Sequence, residues 1–339
     1  MPIPGPLRAL SFCALETEMQ AVATEPARQA PAQPASFVQE VLRGVAQVDF
    51  MPNAITGIFF LAALAAAGWQ YALYGLLGAV VGTATAYAFG IDREIVSAGL
   101  RGFNGTLVSL GFAVFLGAEH LSTLLLAIGG SITVVVVTSA LATILGTWNI
   151  PTFTAPFCII ASVMTIAAPS FSRVWHTGPD LAALPKSANE TTTLDWEQLW
   201  HGFFANVGQI FFMPQWYVGL IFLAGIFVAS RLAGVMACVG SITAIFIAWA
   251  MGSPAEGVSE GLMGYSSVLV AMALCGVFIV RSNWSFGFAV LGAAAATGLT
   301  SAMTAFFAPF GGHTFTWPFV LTTLVFVAAV PQIPRLRRT

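Results

Sequence analysis

From Asn53 onward the chain runs in long apolar stretches separated by short polar or glycine-rich breaks. Ten stretches are readable: 53–70, 73–90, 102–117, 120–145 and 150–168, then 215–230, 233–252, 264–280, 283–308 and 312–330. Leu121–Leu145 and Thr316–Val330 contain no Asp, Glu, Lys or Arg. A helix of about 20 mostly apolar residues matches the hydrocarbon core of a bilayer. The pattern therefore predicts an all-α, polytopic membrane protein. Two further pieces, 38–51 and 200–213, hold 14 residues each. As helices they would reach about 21 Å, short of the ~30 Å core. Both stop at Met-Pro, where proline cannot continue the helical hydrogen bonding. They read as re-entrant half-helices; the alternative is an ordinary first span with a kink.

The stops belong to a repeat. VAQVDFMPNAITG (Val45–Gly57) and VGQIFFMPQWYVG (Val207–Gly219) share Val-x-Gln-x-x-Phe-Met-Pro-x-x-x-x-Gly, and Gln209 minus Gln47 gives an offset of 162. At the same offset Gly99–Val108 (GLRGFNGTLV) meets Gly261–Val270 (GLMGYSSVLV), and Thr152–Phe157 (TFTAPF) meets Thr314–Phe319 (TFTWPF). Three motifs at one spacing, with no gap needed, mark a duplication. The expected organisation is a disordered cytoplasmic tail 1–36, a first repeat 37–168, a polar linker 169–199, a second repeat 200–331 and a basic cytoplasmic tail 332–339.

Charge gives the repeats a direction. Five spans per repeat, an odd number, make the two copies inverted. With both termini cytoplasmic, Arg93, Arg101, Arg231, Arg281, Arg335, Arg337 and Arg338 fall inside, and Glu119, Glu256, Glu260 and the acid-rich linker fall outside. That distribution follows the positive-inside rule. If the short pieces spanned instead, several arginines would change side.

Composition sharpens the picture. Hydrophobic residues make up 58% of the chain and charged residues 8%, with a mean hydropathy of +0.86; a soluble domain carries about 25% charged residues. A net charge of −2 gives no reason to expect nucleic acid. Cys13, Cys158, Cys238 and Cys275 are far apart, with no Cys-x-x-Cys, and read as inert thiols. Residues 1–36 lack the layout of a signal peptide. Asn189-Glu190-Thr191 is a formal glycosylation sequon that would matter only in a secretory-pathway host.

Inverted repeats bring a solute path to their interface near the midplane, where interrupted backbone survives only if buried or lining a cavity. The last carbonyls of each half-helix lack intrahelical partners and would form a fixed row of acceptors. Thr154 and Thr316 add hydroxyls, and Gln47 and Gln209 add amide oxygens. Phe50, Phe212, Phe103 and Tyr265 offer flat apolar faces. The repeats carry neither a duplicated histidine nor a duplicated intramembrane carboxylate, as an ion channel or proton-coupled pump would. An enzyme would need a nucleophile with its base, or clustered metal ligands; His120, His176, His201 and His313 do not cluster at helical spacing, and no cofactor or metal site is indicated. A flat, neutral, donor-rich solute fits the inventory. Bland readings stand beside it: the glutamines as interhelical bonds, Gly99–Gly105 as close helix packing, and most of the 28 phenylalanines as lipid-facing.

These residues resemble the urea transporters. The family signature Leu-Pro-x-x-Thr-x-Pro-Phe is approached by Ile150-Pro151-Thr152-Phe153-Thr154-Ala155-Pro156-Phe157; Gly312–Phe319 keeps Thr-x-Pro-Phe but has lost Leu-Pro. Gly102–Val108 matches the Gly-Phe-Asn-Gly-x-Leu-Val motif, which is degraded at Gly264–Val270. The resemblance implies ten spans with two tilted pore helices, and a homotrimer in the plasma (bacterial inner) membrane. It also implies one passive urea pore per subunit, with no partners beyond urea, lipid and other copies of the chain. Carried over, the pore would be lined by Gln47, Val48, Phe50, Gln209, Ile210 and Phe212, narrowed by Leu107 and Leu269, with Thr154 and Thr316 completing the oxygen ladders. Leu100 and Phe103 would form one apolar slot, Leu262 and Tyr265 the other. The alternative is a channel for related uncharged solutes such as short amides, ammonia or water. Three departures bear on the substrate. Tyr265 puts a hydroxyl where phenylalanine is expected, able to bond the solute or attract water. His313 replaces a proline, as a capping group or a pH-sensitive one. Asp49 stands in the first pore helix opposite Phe211, expected to bond backbone or Arg43.

Overall fold

Helix boundaries follow from local capping chemistry. The computed structural model describes residues 35–176 and 192–339, and its first helix begins where Ser36 and Gln39 close a capping box. Two donors of the first turn are thereby satisfied. Helix α1 spans Phe37–Ala46, followed by α2 (Ala54–Ala67), α3 (Trp69–Ala88), α4 (Arg93–Ser97), α5 (Phe103–Leu116), α6 (Leu121–Gly146) and α7 (Ala155–Ala167). The second series is α8 (Trp196–Gly208), α9 (Trp216–Ala229), α10 (Arg231–Ala250), α11 (Ala255–Ser259), α12 (Tyr265–Met272), α13 (Asn283–Phe307) and α14 (Trp317–Ala329). The starts of α9 to α14 each lie 162 residues after those of α2 to α7. The duplication read from three motifs thus extends to the helix ends. Helix α8 starts within the stretch expected as linker because Asp195 caps it with Gln198. Ser36, expected in the tail, is likewise a cap.

The two Met-Pro stops bend the chain hard. Gln47–Asp49 continues α1 as a 3-10 turn, and the axis then swings by 72° into α2; Gln209–Phe211 and α9 repeat this at 73°. The bend folds each second helix back on the first. Glycines permit it: a Cβ on Gly57 would lie 2.1 Å from the Leu42 carbonyl oxygen, and one on Gly219 would lie 1.9 Å from that of Phe204. The glycine ending the repeated motif is therefore the point where backbone meets backbone.

Length separates the helices. Among the described residues only α3, α6, α10 and α13 are long and apolar enough to cross a bilayer unaided, and each bent pair adds one more if taken as a broken span. Helices α5, α7, α12 and α14 are shorter apolar pieces. By length and composition the described residues thus give four spans, or six with each bent pair counted as one. The short helices α4 and α11, missed in the sequence, lie in the glycine-bounded breaks, where five residues carry no periodic signal of their own.

The repeats pack through α2 and α9. Phe60 meets Phe222, its own counterpart, with ring centroids 5.0 Å apart, and Thr56 donates to the Gly225 carbonyl at 2.9 Å. A residue that touches its own copy sits beside a two-fold axis, as at any self-complementary interface. One continuous apolar core runs through both repeats. The basic C-terminal segment, expected as a tail, is docked: the Arg338 guanidinium donates to the carbonyls of Val327 (2.7 Å) and Trp148 (3.0 Å), and Thr339 N–H donates to Phe278 O. Carbonyls left open at loop and helix ends supply those acceptors.

Candidate functional site

The interrupted helices end in matching turns. Phe50 N–H donates to Gln47 O (3.0 Å) and Met51 N–H to Ala46 O (3.2 Å); Phe212 and Met213 repeat this with Gln209 and Gly208 at 3.0 and 3.1 Å. This is the Schellman arrangement, which requires a left-handed residue after the helix. That residue is usually glycine, yet here it is Phe50 (φ 64°) and Phe212 (φ 63°). A large ring is thus held in an uncommon backbone state, and the turn aims it out of the helix. The turn also takes up the carbonyls of Ala46 and Gln47, so the free acceptor row expected from the sequence is shorter than the whole last turn.

Gln47 Nε2 donates to Ala98 O at 2.8 Å, and Gln209 Nε2 donates to Glu260 O at 2.9 Å. Because a backbone carbonyl only accepts, the nitrogen must face it, and each Oε1 is turned the other way. Arg43 donates through Nη1 to Ser97 O at 2.8 Å, an open carbonyl at the end of α4. Asp49 therefore does not receive Arg43: its carboxylate is buried, and neither oxygen has a hydrogen-bond partner among the described residues.

A second pair of turns supplies the hydroxyls. Phe153 (φ 49°) and Phe315 (φ 44°) are also left-handed, and each precedes a threonine at the N-cap of a helix with an early proline, α7 or α14. Proline there costs no hydrogen bond. The two turns meet across the repeats: Thr154 Oγ1 and Thr316 Oγ1 are 2.6 Å apart, both buried. No solute fits between these hydroxyls while they bond one another; a solute in contact with them lies alongside. Cys158 Sγ is 3.1 Å from Thr316 Oγ1, a member the sequence reading left among inert thiols. Its position one helical turn after Thr154 was the available signal.

Aromatic rings flank the hydroxyl pair in two exchange-related sets. On one side Phe50 packs on Phe319 (5.8 Å) and Phe278 (5.6 Å), and Phe153 on Phe278 (5.2 Å). On the other, Phe212 packs on Phe157 (5.9 Å) and Phe115 (5.6 Å), and Phe315 on Phe115 (5.4 Å). Phe115 and Phe278 play the same part although they stand 163 positions apart in the sequence, not 162. Helix α12 runs into a π-type segment, Ala273–Val277, broken at Gly276 (φ 112°), and the extra residue shifts the ring by one. A fixed offset pairs Phe278 with Leu116 and misses this. His313 packs against Phe115 in a tilted pair with centroids 4.0 Å apart, so it extends the second aromatic set.

A cavity of about 270 Å³ opens on the first set. It is lined by Gln47, Val48, Phe50, Leu100, Phe103 and Thr154, together with Phe153 and Phe278. Six sequence-predicted residues thus share one space. Leu107, Leu269 and Ile210 are buried, and Leu262 and Leu100 stand exposed. Tyr265 is buried, its hydroxyl donating to Phe315 O at 2.6 Å; it is therefore engaged rather than open to solute. No group of three metal-ligating side chains occurs among the described residues.

The family model for the urea transporters matches residues 38–331. Urea transporter 1 of Ovis aries is 33% identical over 316 residues, covering 88% of this chain and 79% of its own length; the Capra hircus protein gives the same values. Urea transporter 1 of Rattus norvegicus is 32% identical over 308 residues, covering 89% and 79%.

Proposed function

The chain belongs to the urea transporter family, and from that premise we propose that it passes urea down its gradient along the repeat interface. It is an integral membrane protein with a transporter's, not an enzyme's, ancestry. The observation that carries the reading is the buried Thr154–Thr316 pair joining the two repeats, together with two matching aromatic sets, one around Phe50 and Phe319 and its copy around Phe212 and Phe157. Urea is flat, neutral and rich in N–H donors. Removing an amide-like group from water costs roughly 2–7 kcal/mol when uncompensated. The Gln47 and Gln209 oxygens, the Thr hydroxyls and the carbonyls beyond the Schellman turn offset that cost in sequence. The ring faces of Phe50, Phe103 and Phe212 hold the solute by its flat faces, leaving its N–H edges to the oxygens, and Val48, Ile210, Leu100, Leu262, Leu107 and Leu269 exclude a hydrated ion. Weak, repeated binding permits release at each step.

In this reading each repeat crosses five times, the short helices being completed by the turns before them, and the repeats are inverted. Supporting this, Arg338 bonds Trp148 and Thr339 bonds Phe278 beyond the end of α6, while Glu119, His120 and His176 meet at its start. The apolar outer faces then contact lipid and the neighbouring copies of a homotrimer in the plasma membrane, with both termini cytoplasmic.

Two measurements test the proposal. In proteoliposomes, a urea gradient alone is expected to drive rapid efflux with neither proton nor sodium gradient; a requirement for either ends the channel reading. Cysteines introduced at Arg173 and Arg335 are expected to react with an impermeant thiol reagent from opposite sides of the membrane. Labelling of both from one side removes the inverted topology.

A further inference from the structure

The repeat makes the Tyr265 hydroxyl interpretable. In the first half Asn104 bridges α5 to the Thr154 turn: Nδ2 faces Phe153 O at 3.5 Å, and Oδ1 accepts from Phe157 N–H at 3.3 Å. At 162 residues on, the counterpart of Asn104 is Ser266. Its side chain is too short to bridge, and its buried hydroxyl has no hydrogen-bond partner among the described residues. One position earlier, the counterpart of Phe103 is Tyr265, and its hydroxyl donates to Phe315 O, the counterpart of Phe153 O, at 2.6 Å. Phe153 and Phe315 both hold a left-handed φ, which a bulky residue keeps only where its surroundings over-determine it. The carbonyl being held belongs to the residue just before each central threonine.

We propose that Tyr265 is a positioning residue. Phe103-Asn104 and Tyr265-Ser266 are two interchangeable solutions to one task, fixing the turn that presents Thr154 or Thr316 to its partner. The two departures of the second repeat are then a single compensated change: the bridge lost at Ser266 is rebuilt from the ring beside it. Tyr265 acts through the Phe315 carbonyl and the Thr316 turn, not by bonding solute. The proposal rests on the reading that solute passes the threonine pair.

The test is urea efflux from proteoliposomes, normalised to monodisperse protein. Tyr265→Phe and, in the other repeat, Asn104→Ser are each expected to lower flux about fivefold, as loss of one buried hydrogen bond implies. Tyr265→Phe/Ser266→Asn and Phe103→Tyr/Asn104→Ser are expected to return flux to within about twofold of wild type, each restoring one full solution. Rescue in either repeat supports the proposal, since general loosening of the fold would not be repaired by a second buried change. Wild-type flux in Tyr265→Phe, or no rescue by either double variant, overturns it. If one pair does not fold, the other decides. Thr316→Val, measured beside them, separates the two levels. Wild-type flux there removes the pore reading. Slow flux there with unaltered Tyr265→Phe removes only the positioning role.

Discussion

Thr316→Val lowers urea flux by about tenfold or more, and Thr154→Val lowers it less, with both proteins still purified in folded form. The reasoning starts from their shared bond. The two hydroxyls are buried and 2.6 Å apart, and Cys158 Sγ lies 3.1 Å from the Thr316 hydroxyl. Valine matches the shape of threonine but removes its oxygen. A buried polar group left unpaired costs about 1–3 kcal/mol, and a barrier higher by 1.4 kcal/mol slows passage about tenfold. Thr316→Val removes the hydroxyl that both Thr154 and Cys158 meet. Thr154→Val leaves Thr316 with the thiol as a weaker partner. Efflux of urea from proteoliposomes reads both variants, and wild-type rates in the pair of them would place the path elsewhere.

Gly219→Ala and Gly57→Ala abolish recovery of monodisperse protein. Each added methyl would fall about 2 Å from a backbone carbonyl oxygen of the preceding interrupted helix, which no rotamer change relieves. Overpacking a core costs about 1–3 kcal/mol where side chains can move; here the obstacle is backbone, so the expected loss lies at or above the upper end of that range. The bend of 72–73° between the half-helix and its follower could not close, and the turn carrying Phe50 or Phe212 would be displaced with it. Gly298→Ala is the control: nothing lies within 4 Å of a Cβ at that helical position, so recovery is expected to equal or exceed wild type. Size-exclusion profiles in detergent read all three. A normal profile for Gly219→Ala would mean that the close approach is not required by the fold.

The expected free row of helix-end carbonyls shows where local reasoning fell short. Loss of intrahelical partners at a helix end is a general rule, but the left-handed Phe50 and Phe212 close a turn that uses two of those carbonyls. A phenylalanine gives no hint of that conformation. Asp49 is the opposite case: a bond to backbone or Arg43 is the expectation, but the fold turns Arg43 toward Ser97 and leaves both carboxylate oxygens without a hydrogen-bond partner among the described residues. The aromatic sets were half readable. Phe50 and Phe212 stood in a repeated motif, whereas Phe115 and Phe278 were hidden by one residue of slippage at the π-type segment.

By itself the sequence determined the membrane class, the duplication, the interrupted helices and the glycines at their folds, because hydropathy, proline and capping act within a few residues of themselves. Only the tertiary structure decided that Thr154 would meet its own copy, that Phe278 would match Phe115 rather than Leu116, and that a tyrosine would take over an asparagine's bond. Those outcomes join residues from 50 to 228 positions apart. They depend on how two copies dock about an axis, and that docking is written in the summed packing of whole helices rather than in any one motif.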